Sequence, residues 1–163
     1  MTQPSGNAET TFSPPLTATE KQLINQAMKL LEERLFQREG WITDPGQVPD
    51  YMRLKLAGEP NELFSILLLD RANKIIGYET LFTGFVSQAS VYSRVIVQRA
   101  LTRNACAVIL VYNHPSGFTM PSQTDKVLTR RVQEVLALIE VTVLDHFIVG
   151  KGEPFSFAEA GLL

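Results

Sequence analysis

The chain has 163 residues, of which 45% are hydrophobic, and its formal net charge is −2 at pH 7. That length can bury a sizeable core, and the composition is ordinary for a globular domain. The small net charge argues against a protein that mainly binds nucleic acid, because such domains are normally strongly basic. No apolar run is long enough to span a bilayer, and the first residues lack the regions of a signal peptide. We therefore expect a cytoplasmic protein with no membrane partner.

The N-terminal part of the sequence divides into a tail and one helix. Residues 1–16 are rich in Thr, Gln, Pro, Asn and Glu, and they predict a flexible tail. Thr17 and Glu20 have the spacing of a helix start, and the apolar residues that follow predict an amphipathic helix over 17–40 that Gly40 ends. This helix could pack on the domain or pair with a second copy, so a homodimer is one expected assembly. Residues 42–163 are expected to form the single folded domain.

Beyond this helix, the apolar pattern predicts strands that alternate with helices. In chain order they are a helix over Val48–Leu56, strands over Phe64–Leu69 and Lys74–Phe82 that form a hairpin, a helix from a Ser93 cap to about Asn104, a strand over Ala107–Val111, a helix after Ser122, and a strand over Val141–Val149. This order is typical of the α/β (α+β) class, with a mixed β-sheet flanked by helices. Cys106 is the only cysteine, and we expect it to be a small core residue.

The segment with the most chemical content follows the strand that starts at Ala107. His114 leaves the end of that strand, and Pro115 favours an extended backbone at His114. Because side chains in a strand alternate between faces, positions 112 and 114 are expected on one side. Asp125 lies across the loop, in the first turn of the next helix. An imidazole and a carboxylate so placed can share a tetrahedral zinc ion, whose catalytic form takes three protein ligands and a water.

The same residues also have a purely structural interpretation. Ser122 and Asp125, placed before an apolar run, have the spacing of a helix capping box. The segment from Asn113 to Gly117 is equally typical of a turn. The residues alone leave the metal site and the structural interpretation both open.

Several ordered blocks of the chain resemble one known family. The blocks are Leu69-Asp70, Glu79 to Gly84, Asn113 to Gly117, Pro121 to Asp125, Leu144 to Ile148 and Phe155 to Glu159. In these blocks and their spacing the chain resembles the RadC family, the bacterial branch of the JAB/MPN metalloprotease-like domains. The resemblance implies a three-layer, cytidine-deaminase-like JAB/MPN fold. It also implies a zinc-dependent hydrolase of the peptidase or isopeptidase type, which would act on a peptide or protein.

The resemblance extends to individual site residues. JAB/MPN enzymes share a glutamate on an early strand, a His-x-His-Pro segment, and a serine and an aspartate soon after it. Glu79 matches the glutamate and His114 the second histidine. Ser122 matches the serine and Asp125 the aspartate. The resemblance therefore implies zinc ligands at His114 and Asp125, a general base at Glu79, and an oxyanion donor at Ser122.

The strand pattern offers separate support for Glu79. Period-two alternation over Lys74–Phe82 puts Glu79 on the same face as Ile75 and Leu81, where an unpaired carboxylate would be unfavourable. The alternative is a glutamate on an edge strand that points to solvent.

Tyr112 departs from the family pattern, because it stands where the first histidine ligand is found. A neutral phenol is a poor zinc ligand, so one nitrogen and one carboxylate remain and we expect weak or partial zinc occupancy. Three outcomes are open: metal held with waters or a Tyr112 phenolate, recruitment of His146 as a further ligand, or loss of metal. For His146 we favour a structural role in which the neighbouring Asp145 hydrogen-bonds it.

If metal is lost, the domain is a catalytically inactive binding module, associated by the resemblance with DNA repair or mobile-element functions. Its partner would be a peptide or a nucleic acid. Longer relatives carry a helix-hairpin-helix region suited to DNA backbones, and the pattern of residues 1–40 does not predict one. Two predicted helices carry basic clusters that could contact phosphate, although such charges more often form a solvated face: Arg94, Arg99 and Arg103, then Lys126, Arg130 and Arg131.

Overall fold

The computed structural model describes residues 14–35, 47–84 and 93–163. In chain order the elements are α1 (Ala18–Leu35), α2 (Gln47–Lys55), β1 (Leu63–Leu69), β2 (Ile75–Thr83), α3 (Ser93–Thr102), β3 (Ala107–Asn113), α4 (Gln123–Ala137), β4 (Thr142–Val149) and β5 (Phe155–Ser156). The strands form one sheet in the order β2-β1-β3-β4-β5. Strands β3 and β4 pair in parallel, and the other pairs are antiparallel. The predicted α/β class with a mixed sheet is confirmed.

Most predicted elements are present, with bounds shifted by one or two residues. The two-residue strand β5 was not predicted, because so short a segment carries no periodicity. The predicted helix end at Gly40 and most of the predicted tail lie outside the described residues. At the start of α3, the Ser93 hydroxyl is buried and makes no hydrogen bond to the described residues, so the predicted capping bond is not formed among them.

Helices cover both faces of the sheet, and each face has its own core. The fully buried members of the core under α3 and α4 are Phe64, Ile66, Leu68, Ile96, Ala100, Val108, Leu110, Val132 and Leu136. The core on the other face, under α2, contains Tyr51, Met52, Leu67, Leu69 and Val111, with Leu31 of α1 packed against it. Strands β1 and β3 are therefore buried on both faces, which explains why their sequences are almost continuously apolar.

Strand β2 contains two irregularities that change which side chains share a face. Its pairing with β1 shifts register near Leu69 and again near Phe64. The first shift sends Ile75 into the core under α2, whereas Leu81 packs in the core under α3 and α4. The prediction that Glu79 shares a face with both residues is therefore wrong for Ile75, because a bulge interrupts the period of two.

Two further observations concern the first helix and the single cysteine. Helix α1 begins as predicted, with Thr17 and Glu20 bonded to each other's backbone N–H groups at 3.3 and 2.7 Å. It docks on α2, where the Tyr51 hydroxyl donates to Glu32 at 3.0 Å. The expectation that Cys106 is a core residue is wrong, because it lies just before β3 with its side chain exposed. None of the described helices is both long and apolar enough to cross a membrane.

Candidate functional site

The loop after β3 is held tightly against the end of β4. The His114 N–H donates to the Val149 carbonyl at 2.7 Å, and the Gly117 N–H donates back to the His114 carbonyl at 2.9 Å. The Lys151 N–H donates to the Gly117 carbonyl at 3.0 Å. A Cβ atom on Gly150 would lie 2.6 Å from that same carbonyl oxygen, so the close approach of the loop requires glycine there. The loop thus fixes the backbone from which the imidazole projects.

His114 and Asp125 face each other across this loop. Nδ1 of His114 lies 2.9 Å from the Phe118 carbonyl oxygen, which can only accept, so Nδ1 carries the proton in the neutral ring. The unprotonated Nε2 then faces the Asp125 carboxylate, with 3.9 Å between Nε2 and Oδ2. Their side chains are only 17% and 7% exposed. The structure therefore brings together the two residues that were predicted as zinc ligands.

Ser122 and Asp125 also form the capping box of α4. The Asp125 N–H donates to Ser122 Oγ at 3.1 Å, while Asp125 Oδ2 accepts from the Ser122 N–H and hydroxyl, both at 2.7 Å. The structural interpretation of this pair is confirmed, and it coexists with the position of the carboxylate beside His114. In this arrangement the Ser122 hydroxyl donates its one proton to Asp125.

Tyr112, which stands where the family resemblance predicts a first histidine, has a carboxylate partner for its hydroxyl. The side chain is buried, and its hydroxyl donates to Glu62 Oε2 at 3.0 Å. Its ring meets the His114 ring edge-on, with 4.6 Å between centroids, so residues 112 and 114 share a side as predicted. Burial, followed by the hydrogen bond to Glu62, raises the pKa of Tyr112 well above its ordinary value. In the metal-free protein a phenolate at this position is therefore disfavoured near neutral pH.

The side chain of Asn113 sets the position of Glu62. Its Nδ2 group donates to the Asn61 carbonyl at 2.9 Å, and its Oδ1 atom accepts from the Leu63 N–H. This clamp brackets Glu62 from both sides and joins the start of β1 to the end of β3. Asn113 and Glu62 were not singled out from the sequence, because their partners lie about fifty positions away. The one available signal was that an asparagine ends an otherwise apolar strand.

Glu79 has partners that the sequence did not predict. Its carboxylate accepts from Nε of Arg99 on α3 and, at 2.8 Å, from Nε of Arg103, the residue that follows the end of α3. The hydrogen bond from Arg99, opposed in part by burial and assisted by Arg103, holds the pKa of Glu79 below its ordinary value. The carboxylate is 11% exposed, so it neither points to solvent nor lies unpaired. Glu79 is ionised, and its negative charge is balanced by the two guanidinium groups.

Glu79 also lies far from the pair formed by His114 and Asp125. Glu79 on β2 pairs with Ile66 on β1, and Ile66 pairs with Leu110 on β3. Leu110 lies four positions before His114. Given a strand spacing of about 4.8 Å and a rise of about 3.3 Å per residue, the two backbones differ by about 10 Å across the sheet and about 13 Å along it. The structure therefore does not place the predicted base beside the two predicted ligands.

His146 is fully buried in the core under α4. Thr129 Oγ1 donates to the Asp125 carbonyl at 2.7 Å and lies 2.7 Å from His146 Nδ1, so Nδ1 must supply the proton of the second bond. Nε2 is then unprotonated, and it is buried without a hydrogen-bond partner among the described residues. Burial, with a smaller contribution from His114, lowers the pKa of His146 to about 3. The predicted bond from Asp145 to this ring is wrong, because the Asp145 carboxylate instead accepts from backbone N–H groups and Ser156.

The residues present do not fit a three-ligand zinc centre. Within residues 14–35, 47–84 and 93–163, no three His, Cys, Asp or Glu side chains are grouped so that they could hold a metal ion. His114 and Asp125 supply two donors, while Tyr112 is held in its phenol form by Glu62. His146 packs against the Phe157 ring at 4.6 Å and does not complete the set. Two donors fall short of the three protein ligands of catalytic zinc sites.

Comparison with known proteins agrees with this architecture. Residues 42–162 match the family model described as the RadC-like JAB domain. The chain belongs to the RadC family of JAB domains. A UPF0758 protein of Ectopseudomonas mendocina is 48% identical over 150 residues, 92% of this chain and 66% of that protein. A UPF0758 protein of Stutzerimonas stutzeri is 47% identical over 150 residues, again 92% of this chain and 66% of that protein. The UPF0758 protein YkfG of Escherichia coli is 45% identical over 148 residues, 91% of this chain and 94% of that protein.

Membership of the RadC family places every residue of the candidate site inside the matched domain. The matched range contains Glu62, Glu79, Tyr112, His114 and Asp125. The mixed five-stranded sheet with helices is consistent with a RadC-like JAB domain. The chain spans slightly under two thirds of the length of the first two relatives named above, at 66% each. The activity and partners of those whole proteins are therefore a matter for proposal.

Proposed function

We propose that this RadC-like JAB domain is a binding module that retains the scaffold of a zinc hydrolase without its hydrolytic activity. The observation that carries the proposal is the hydrogen bond from the Tyr112 hydroxyl to Glu62, at the position where JAB/MPN enzymes have their first histidine. A buried, bonded phenol contributes no third donor, so zinc would be held weakly or at partial occupancy. The partner would be a peptide or a nucleic acid.

The state of the other matched residues supports the proposal. Glu79 is held by Arg99 and Arg103 away from His114 and Asp125, and a general base must lie within hydrogen-bond reach of the proton that it removes. Ser122 donates its hydroxyl proton to Asp125. Each of these groups makes a structural contact in place of the catalytic contact that the family resemblance implies.

A second candidate function is a zinc-dependent hydrolase of the peptidase or isopeptidase type. The arrangement of His114 favours it, because Nδ1 is fixed by a carbonyl and Nε2 faces Asp125, as is common for histidines that ligate metals. The 3.9 Å between Nε2 and Oδ2 is wider than the roughly 3.4 Å expected for two ligands of one tetrahedral zinc. Only a small closure would be needed, but the third protein ligand would still be missing.

Zinc content separates the two candidates. We expect the purified chain to hold well under one zinc per molecule, and Tyr112→His to raise zinc affinity by at least about tenfold because it adds a third donor. Tyr112→Phe is the matched control, since it removes the bond to Glu62 without adding a ligand. Elemental analysis after dialysis, followed by titration of zinc into metal-free protein, gives both quantities.

Stoichiometric zinc in the unmodified chain, lost on treatment with a chelator together with peptidase activity, would overturn the proposal in favour of the hydrolase. An unchanged zinc affinity in Tyr112→His would contradict the role given to position 112. Increased zinc affinity in Tyr112→Phe would show that the bond to Glu62, and not the missing donor, is what keeps metal out.

A further inference from the structure

Arg99 and Arg103 form a pair of guanidinium groups that the fold aligns on one side of α3. They are one helical turn apart, and both donate from Nε to the single carboxylate of Glu79 on β2. Like charges at this spacing repel each other, and one arginine would be enough to neutralise the glutamate. Two arginines and one carboxylate leave a formal excess of one positive charge. The positive charge of one arginine is therefore not balanced by Glu79.

The bonds to Glu79 use only a small part of what each guanidinium can donate. An arginine has five N–H donors, and Nε supplies one of them. Among the described residues, the terminal nitrogens of Arg99 and Arg103 make no further hydrogen bond or ion pair. Their side chains are 39% and 48% exposed, so these nitrogens are accessible from solvent. The Nε atoms thus fix both guanidinium groups in place and leave their terminal N–H groups available as donors.

We propose that Arg99 and Arg103 bind a phosphate group and that Glu79 is the positioning residue that orients them. Guanidinium forks match carboxylate and phosphate oxygens in geometry, and fixing them beforehand reduces the entropy lost on binding. A phosphate suits this pair better than a second carboxylate, because it presents several oxygens in a tetrahedron and can meet both forks at once. Its larger negative charge also balances the excess positive charge of the cluster.

This inference rests on the proposed function, because it assigns Glu79 to the arginines and not to a hydrolytic water. The cluster is separate from the His114 and Asp125 pair, so a ligand here need not enter the former metal site. The phosphate could belong to a free phosphate or phosphomonoester, or to the backbone of a nucleic acid. The chain's net charge of −2 means that any nucleic-acid contact would be local to this cluster.

Titration of the full chain with inorganic phosphate at constant ionic strength, followed by NMR of arginine side-chain N–H signals, tests the site. We expect the signals of Arg99 and Arg103 to shift together. Arg99→Gln and Arg103→Gln should each weaken phosphate binding by at least about tenfold. Arg99→Lys should also weaken it, because charge is kept and the fork is lost. Arg94→Gln is the matched control, since Arg94 is an exposed arginine on the same helix without a bond to Glu79.

Glu79→Gln distinguishes a positioning role from simple electrostatics. It removes a negative charge, so electrostatics alone predicts tighter phosphate binding, whereas loss of orientation predicts weaker binding. We expect binding to weaken. A second titration with a short single-stranded oligonucleotide lacking terminal phosphates separates the two sources. Binding of both ligands at the same arginines indicates a nucleic-acid backbone, and binding of inorganic phosphate alone indicates a free phosphate or phosphomonoester.

The inference is overturned if neither inorganic phosphate nor the oligonucleotide binds at millimolar concentration. It is also overturned if Arg94→Gln weakens phosphate binding as much as Arg99→Gln or Arg103→Gln does. Circular dichroism of each variant establishes that it is folded. Zinc content measured on the same preparations keeps the two proposals apart. Stoichiometric zinc beside an intact phosphate site would overturn the proposed function alone, and absence of both zinc and phosphate binding would overturn the phosphate site alone.

Discussion

The end of β3 and the middle of β2 both carry residues that match the family pattern, but the protein holds them in different ways. At the end of β3, His114 and Asp125 face each other, with 3.9 Å between Nε2 and Oδ2. In the middle of β2, Glu79 lies away from this pair and bonds to Arg99 of α3 and to Arg103, which follows the end of that helix. One region brings two of the predicted site residues together, and the other binds the predicted base in an ion-pair cluster.

The difference comes from what supports each region. Asp125 is fixed by its own capping box with Ser122, and its carbonyl is tied through Thr129 to His146 on β4. These supports fold with the domain and do not require a metal. Glu79 is fixed by side chains from a helix that could equally bind an external anion. Asp125 is therefore expected to keep its position without a ligand, and Glu79 is expected to respond to an anion bound at the arginines.

The largest effect on stability is expected from removal of the Asn113 amide, which joins the start of β1 to the end of β3. Asn113→Ala would leave the Leu63 N–H and the Asn61 carbonyl without their partner at partly exposed positions, so we expect a loss of about 2 kcal/mol in unfolding free energy, about 1 kcal/mol for each bond. Urea unfolding measures the loss. Asn113→Asp keeps the acceptor and loses the donor, and it should lie between the two proteins. A cost below about 0.5 kcal/mol for Asn113→Ala would contradict this joining role of Asn113.

The contrast also marks what could be predicted from the sequence. The capping box of Ser122 and Asp125 was predictable because both partners lie within four residues, and local hydrogen bonding decides their geometry. The hairpin was predictable for the same reason, since Asp70 accepts from the N–H groups of Ala72 and Lys74. The position of His114 followed from strand alternation and the proline after it.

The partners of Glu79 and Tyr112 could not be predicted in this way. Arg99 is twenty positions from Glu79, and Glu62 is fifty positions from Tyr112, so both contacts depend on tertiary packing. The wrong prediction for Ile75 has a related cause, because a register shift against a neighbouring strand is invisible to a period of two. Cys106 is exposed because it precedes the buried strand by one residue. Sequence patterns fixed the elements, whereas side chains from distant elements decided the chemistry.

Acidification is expected to lower the stability of the protein through His146, which is joined to the Asp125 carbonyl by Thr129. The pKa of this ring is lowered to about 3 from an ordinary 6.5, so between these values the unfolded chain binds a proton that the folded chain does not. Stability should be complete above pH 6.5 and fall as pH decreases, by about 2 kcal/mol between pH 7 and pH 5. Urea unfolding at both pH values measures it. His146→Gln is the control, because an amide cannot titrate, and an equal loss in this variant would contradict the assignment.

The smallest expected effect concerns the titration of Glu79, and it tests the ion pairs in the middle of β2. Its pKa is lowered in the folded protein, so the stabilisation from the arginines is present above the ordinary carboxyl pKa and is lost as pH falls through the lowered value. NMR titration of the Glu79 carboxyl carbon should show Arg99→Gln raising this pKa more than Arg103→Gln, because the bond from Arg99 is the larger cause. Arg94→Gln should leave it unchanged. An ordinary pKa for Glu79 in the unmodified protein would mean that the arginines do not hold the carboxylate, and the two regions would then differ in position alone.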